Sequence, residues 1–524
     1  MKYKFLALSL FSGFLLWLAW PVKPLGFLLH VAFVPLLLIE YELSKKTVKK
    51  KTLKFFSYSY VALLIWNLAT TWWVYNASPG GATFAFFANA LLMTIPLMLF
   101  YYTKKAAGNI AGYFSFPIYW LAFEYIHLNW DLTWPWLTLG NGFASIYPIV
   151  QWYSFSGHLG GSLWVLVGNL LIFLSIRDRQ LNKVLISLFS LWFGIPVIIS
   201  LSMYFSYKEK GKPVEVVVVQ PNVDPYNEKF VSGSEETQME AMIKLSKQAI
   251  SPATRFVAWP ETALAWGFFE KEANQSEIVD SLYKFIGQYP KLSLLTGVST
   301  YVLYKEKPTP TARYEKGFGY YDAFNTAMNI SKPGSCSFYH KSKLVPGVEY
   351  IPPIIKKCAI NLGGVVGGLG RADSASVFTG ATGIKTAPVI CYESIFGAYV
   401  AKFVRKGASF ITIITNDAWW GNTPGHRQHF DYARLRSIET RKSIARSANT
   451  GTSGFINQRG DALQKSKYGV KTVLKGNVFV NNELTFYVKY GDYIGLAAMY
   501  FSLFFIAIML FAKIIRIKKS YNGN

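Results

Sequence analysis

Eight apolar stretches recur along the chain, at about residues 5–20, 25–39, 55–75, 83–102, 110–127, 161–176, 184–205 and 493–511. Most approach the roughly 20 residues that a helix needs to cross the hydrocarbon core of a bilayer. The first two are short and are joined through Pro21, Lys23 and Pro24, so they read as a helical hairpin. No small-residue cleavage pattern follows the first run, which therefore reads as a retained anchor rather than a removable signal peptide. Eight crossings place both chain ends on one side of a membrane.

The flanking charges say which side. Short segments holding Lys2 and Lys4, "KKTVKKKTLK" (45–54), Lys104 and Lys105, "RDRQLNK" (177–183) and "KIIRIKKS" (513–520) together carry 17 Lys or Arg. The alternate short loops, 21–24, 76–82 and 128–160, carry only Lys23. Such a bias orients helices with the basic side in the cytoplasm. Both termini are expected there, with residues 207–491 outside. The same count explains much of the net charge of +25. Between residues 207 and 492 the 36 Lys and Arg exceed the 24 Asp and Glu by only 12, without dense runs. That surplus suits anionic lipid headgroups better than a nucleic-acid groove, so no nucleic-acid partner is expected.

Three regions follow: a membrane domain with seven spans (1–206), a water-facing domain (207–491), and an eighth span with a basic tail (492–524). In the middle region strand-like runs alternate with helix-like segments. "VEVVVVQ" (214–220), "RFVAWP" (255–260), "LSLLTGVST" (292–300), "TAPVIC" (386–391) and "SFITIITN" (409–416) read as strands. Their continuous β-branched character predicts burial on both faces, between layers of helices. Residues 234–250 and 431–448 read as helices, and the Gly-rich 361–370 as a mobile loop.

Metal chemistry is not indicated: six His and three Cys are scattered, and His426 with His429 in "GHRQHF" is a weak pair. The serine-hydrolase elbow Gly-x-Ser-x-Gly is absent. Three reactive side chains remain. Glu261 follows a strand in "VAWPETA", Cys391 ends another in "PVICYES", and Lys341 lies in "YHKSKLVPGVEY" with Glu349 eight residues on. A carboxylate can act as base for a thiol, and an ammonium lowers the thiol pKa and steadies an oxyanion. Each residue also has a plain structural role. Cys391 suits a buried small hydrophobe, Glu261 a helix N-terminus, and Lys341 a solvated surface. Pairing of Cys336 with Cys358 is open, since the outer compartment is oxidising.

The order Glu in "WPE", Lys in "YHKSKLVPGVEY" and Cys in "CYES" resembles the nitrilase superfamily of carbon–nitrogen hydrolases. With the membrane frame, the whole chain resembles the apolipoprotein N-acyltransferase family. The stretches 134–152, 155–169, 216–230 and 416–430 share that likeness. The resemblance implies a polytopic α-helical membrane domain of eight transmembrane helices carrying an extracytoplasmic α/β domain, a nitrilase-like αββα sandwich. It also implies a two-step acyl transfer from a phospholipid acyl donor to a diacylglyceryl-modified apolipoprotein, with Cys391 as nucleophile, Glu261 as base and Lys341 on the oxyanion. Glu349, Tyr392 and Glu393 would support the site. No metal and no cofactor is implied, and the expected state is a monomer in the lipid bilayer.

Two departures stand out. The family's Leu-Val-Pro-Phe-Gly-Glu is "LVPGVE" here, and its usual Trp near 230 has Phe230 as counterpart, a ring without the indole donor. Trp266, Phe268, Trp419 and Trp420 read as loop aromatics lining a lid or an acyl groove, or alternatively as ordinary core. A membrane-tethered amidase and a binding-only receptor or transporter are the competing readings. The second is disfavoured because Glu124 is the one clear charge inside the spans.

Overall fold

The computed structural model describes residues 2–178, 182–229, 231, 233–352 and 368–521. Phe230, Cys358 and most of the Gly-rich stretch 361–370 lie outside the described residues. The chain forms two compact units: residues 1–72, 82–206 and 490–524 in one, and 73–81 with 207–489 in the other.

The first unit is helical. Its helices are α1 (Lys2–Leu18), α2 (Leu29–Ala32), α3 (Val34–Lys45), α4 (Lys51–Thr71), α5 (Pro79–Ala107), α6 (Asn109–His127), α7 (Tyr153–Ile176) and α8 (Lys183–Ser206), together with the C-terminal helix Tyr493–Tyr521. Among the described residues, five segments are long and apolar enough to cross a membrane: Gly26–Lys45, Pro79–Ala107, Tyr153–Ile176, Lys183–Ser206 and Tyr493–Arg516. The shorter Tyr3–Leu18 is apolar, whereas α4 and α6 fall short of that standard, so five spans rather than eight qualify on length and composition. Two of the buried carboxylates in this unit have local partners. Glu124 Oε1 accepts hydrogen bonds from Trp120 Nε1 (3.0 Å) and Leu139 N (2.8 Å), and Lys104 pairs with Glu40.

The second unit is built on two sheets. Its strands are β1 (Lys212–Gln220), β2 (Thr254–Ala258), β3 (Leu264–Phe269), β4 (Ser293–Tyr304), β5 (Arg313–Glu315), β6 (Gly319–Lys332), β7 (Ser335–His340), β8 (Phe378–Thr379), β9 (Lys385–Ile390), β10 (Phe410–Thr415), β11 (Ile444–Ala448), β12 (Gly454–Ile456), β13 (Ala462–Lys465) and β14 (Thr472–Val480). One sheet runs β14-β1-β2-β4-β6-β5, with β3 also on β4 and β7 on β6. The other runs β13-β12-β11-β10-β9-β8.

Alternation along β1 shows how the layers stack. Val217 and Val219 join a core with the helices α9 (Glu235–Ala249) and α10 (Glu277–Gly287). Val216 and Val218 point the opposite way, into a core shared with Phe410, Ala445 and Phe455 of the second sheet. Helices α11 (Gly397–Arg405) and α12 (Pro424–Thr440) cover that second sheet. The order is helices, sheet, sheet, helices. The strands are buried on both faces, but one face meets the other sheet, not a second helix layer. That arrangement corrects the reading from β-branched runs alone.

Two further readings change. The helix expected over residues 431–448 ends at Thr440, where Arg441 turns to φ 50°, and Ile444–Ala448 becomes β11 between β10 and β12. "AWGFF" is not a loop but strand β3, paired with β4.

Candidate active site

Three strand ends converge in the second unit. Glu261 follows β2, Lys341 follows β7 directly, and Cys391 follows β9. The strand-end position of Lys341 was not read from the sequence. All three side chains are buried.

Glu261 is held by its backbone as well as its carboxylate. Gly297 N donates to Pro260 O (3.1 Å), and Thr262 adopts φ 45°. A Cβ on Gly297 would lie 2.3 Å from Thr262 N, so only glycine allows β4 to approach this turn so closely. Lys229 donates to Glu261 O (3.2 Å) and Thr262 Oγ1 (2.5 Å). Burial pulls this lysine down to about 8, against the charges of Glu261 and Cys391.

The charged centre is compact. Lys341 Nζ donates to Glu261 Oε1 (3.0 Å) and Glu349 Oε1 (2.8 Å). Asn325 Nδ2, on β6, donates to the same two oxygens at 2.8 and 2.9 Å. Glu261 Oε2 accepts from Asn416 N (3.0 Å), just past β10. Burial favours the neutral form of Glu261. The Lys341 charge, with hydrogen bonds from Asn325, Lys341 and the Cys391 thiol, outweighs it and keeps the carboxyl below its ordinary range. Lys341 is correspondingly held well above its usual value, because the two carboxylates overcome its desolvation.

The "LVPGVE" departure is accommodated. Glu349 Oε2 accepts from Val345 N (2.8 Å), and its backbone carbonyl accepts from Gly368 N and Leu369 N. A tight turn thereby returns this carboxylate to Lys341.

Cys391 opens a short turn, Cys391–Ile395, with φ 48°. Burial and the neighbouring Glu261 carboxylate raise its thiol well above the ordinary range, while Lys341 pulls the other way. The resting pair is therefore a neutral thiol hydrogen-bonded to a carboxylate. That arrangement suits transfer of the thiol proton to Glu261 as sulfur attacks.

Glu393 lies fully buried beneath this turn. Its Oε1 accepts from Tyr339 Oη (2.7 Å) and Ser342 N (2.7 Å), and its Oε2 from Ile390 N (3.0 Å). It ties the start of the Cys391 turn to the segment just after Lys341. Tyr392 is buried, its ring edge-on to Phe396.

The aromatics separate. Trp419 meets Tyr226 edge-on at 5.2 Å, and Trp420 meets Trp73 at 4.7 Å and His429 at 5.6 Å. Phe268 packs on the helix-side core and against Phe338 (6.2 Å), which is an ordinary core role. Trp266 is half-buried on β3.

Sequence reasoning missed Asn325, Lys229, Asn416 and the group around Asp417. Lys229 sat inside the recognised stretch 216–230. Asn325 carries no local signal, because its role arises only when β6 pairs beside β7. Cys336 is a free thiol on β7. Among the described residues, no three His, Cys, Asp or Glu side chains are placed to hold a metal ion.

Two layers of helix around two facing sheets, with a thiol, a carboxylate and an ammonium at strand ends, define a carbon–nitrogen hydrolase domain. Residues 215–478 match the family described as Carbon-nitrogen hydrolase, and residues 12–171 match the Apolipoprotein N-acyltransferase N-terminal domain. The chain is 30% identical over 93% of its length to the apolipoprotein N-acyltransferase of Chlorobaculum tepidum, covering 92% of that protein. It is 26% identical to the enzyme of the same name from Geobacter metallireducens, over 93% of this chain and 91% of that one. Among solved structures, Saccharomyces cerevisiae Nit3, a member of the nitrilase superfamily, aligns with 52% of this chain at 14% identity and a TM-score of 0.37, covering 92% of its own length. The chain belongs to the apolipoprotein N-acyltransferase family.

Proposed function

We propose that this protein moves an acyl chain from a membrane phospholipid to the N-terminal amine of a diacylglyceryl-cysteine on an apolipoprotein. The observation that carries the reading is the buried Cys391 thiol beside Glu261, whose carboxylate is held by Lys341, Asn325 and Asn416.

In the first step Cys391 Sγ attacks the ester carbonyl carbon, and its proton moves to Glu261. The carbonyl oxygen takes the negative charge and faces the Lys341 ammonium. As the tetrahedral adduct collapses, the carbon–oxygen bond breaks. Glu261 returns its proton to the departing lysophospholipid alkoxide, leaving a thioester. In the second step the amine attacks the thioester carbon and gives a proton to Glu261. The carbon–sulfur bond breaks, and the thiolate takes the proton back. Glu349 fixes Lys341, and Glu393 with Tyr392 shapes the nucleophile turn. Trp419, beside Tyr226, is the aromatic best placed for a substrate lid.

In this reading the apolar segments cross a bacterial inner membrane eight times, with 1–206 as membrane domain and 492–524 as the closing span. Residues 207–491 face outward, both termini are cytoplasmic, and the protein works as a monomer. α4 and α6 cross as part of the helical bundle, where burial against neighbouring helices offsets their lower hydropathy.

The test is a reconstituted assay with phospholipid and a diacylglyceryl-cysteine peptide. N-acylated peptide and lysophospholipid should form in equal amounts, and Cys391→Ser should form neither. Hydrolysis of small amides, with no peptide acylation, would overturn the reading in favour of an amidase.

A further inference from the structure

His429 drew notice in the sequence only as half of a weak metal pair, yet its imidazole touches the nucleophile. It is fully buried on α12, and its Nε2 lies 3.1 Å from Cys391 O and 2.9 Å from Ser394 Oγ. Ser394 Oγ itself donates to Cys391 O at 2.7 Å. A carbonyl oxygen can only accept, so a hydrogen bond from Nε2 to Cys391 O belongs to the form of the ring that carries its proton on Nε2.

The other side of the ring is anchored. His429 Nδ1 lies 2.9 Å from Asp417 Oδ1 and 3.1 Å from Arg446 Nη2. Arg446 Nη2 donates to Asp417 Oδ2 (2.7 Å), and Thr415 Oγ1 to Asp417 Oδ1 (2.9 Å). One buried cluster, drawn from β10, β11, α12 and the turn at Asp417, thus holds the Cys391 carbonyl.

The grip has something to hold. At φ 48° Cys391 occupies a region that a residue with a Cβ leaves unless its surroundings fix it. The Cys391–Tyr392 peptide is trans, so its carbonyl and its N–H point in opposite directions. Fixing the carbonyl on His429 therefore also fixes where Tyr392 N–H points.

We propose that His429, backed by Asp417 and Arg446, is a positioning residue for the nucleophile. It keeps Cys391 Sγ against Glu261 and turns Tyr392 N–H toward the oxygen of the attacked carbonyl. The identity of the acyl donor rests on the function proposed above, whereas the positioning of the thiol does not.

The full-length protein in phospholipid–detergent micelles allows two readouts. The first is iodoacetamide alkylation of Cys391, mapped by peptide mass. The second is single-turnover acylation across phospholipid concentrations. His429→Leu should slow alkylation and the maximal acylation rate by roughly ten- to a hundredfold, the scale of a lost buried hydrogen bond, at unchanged half-saturation. His429→Gln keeps an N–H donor and should recover most of the rate, while Ser394→Ala should lose less than His429→Leu. Wild-type rates in His429→Leu, or equal slowing by Leu and Gln, would overturn the proposal. Should His429→Leu fail to fold, the other two variants decide. A near-normal His429→Gln with a slowed Ser394→Ala supports the proposal, and any other pairing overturns it. If alkylation responds as stated while the wild type takes no acyl chain, only the donor reading fails.

Discussion

Lys341 shows how much a single buried residue is asked to do. It lies between Glu261 and Glu349, and all three are shielded from water. Removing its charge takes from two buried carboxylates the ammonium they share. Lys341→Met should therefore destabilise the second unit by about 3–5 kcal/mol as well as stop acyl transfer. Adding Glu349→Gln should recover part of the stability and none of the activity, as read by thermal unfolding and acylation. Glu393 gives a pH signature. Burial raises it to about 7, against hydrogen bonds from Ile390, Tyr339 and Ser342 and the attraction of Lys341. The unfolded chain releases this proton near 4.5, whereas the folded chain keeps it to about 7. Its contribution to stability is thus fully present below pH 4.5 and is lost as pH rises to about 7. The stability of the wild type minus that of Glu393→Gln should fall across that window by on the order of 3 kcal/mol and stay level above it.

At the scale of elements, α12 links packing to the proposed chemistry, because it carries His429 to Cys391. Thr423 Oγ1 caps its start by accepting from Gly425 N, and Gly425 lies against the fully buried Trp73. A Cβ there would meet the indole at 2.5 Å. Gly425→Ala should cost about 1–3 kcal/mol in unfolding experiments and slow acylation by shifting the helix. The strands that present Glu261 and Cys391 were legible as β-branched runs, and helix 235–249 as a segment opened by a Ser with Glu nearby. β11 was not legible. "SIARSA" puts Arg446 in mid-strand, and a buried charge breaks the apolar pattern until Asp417 is seen beside it. β3 was hidden similarly: "AWGFF" has aromatic bulk without alternation, and only its pairing with β4 makes it a strand. Glu261 and Cys391 were legible because each follows a recognisable run, and Lys341 through the motif "YHKSKLVPGVEY". Asn325 and Lys229 were not, since strand pairing and a returning loop bring them to Glu261.

For the whole molecule, the proposed topology puts the basic segments on one side and the second unit on the other. Cysteines introduced singly into a background without native cysteines test it. Glu315→Cys should react with an impermeant maleimide in intact spheroplasts. Val48→Cys and Ile514→Cys should react only after the membrane is opened. Labelling in the reverse order would invert the arrangement, and labelling of Val48→Cys and Glu315→Cys from the same side would break the count of crossings. Family membership rests on sequence identity along nearly the entire chain. The chemistry rests on the meeting of three strand ends in one unit.

The most direct measurement is the intact mass of the purified protein after incubation with a phospholipid of defined acyl chains, for the wild type and Cys391→Ser. The wild type should gain one fatty-acyl mass, removed by hydroxylamine and absent from Cys391→Ser. A wild type that stays at its unmodified mass while lysophospholipid accumulates, or an adduct that survives in Cys391→Ser, would contradict the thioester at Cys391.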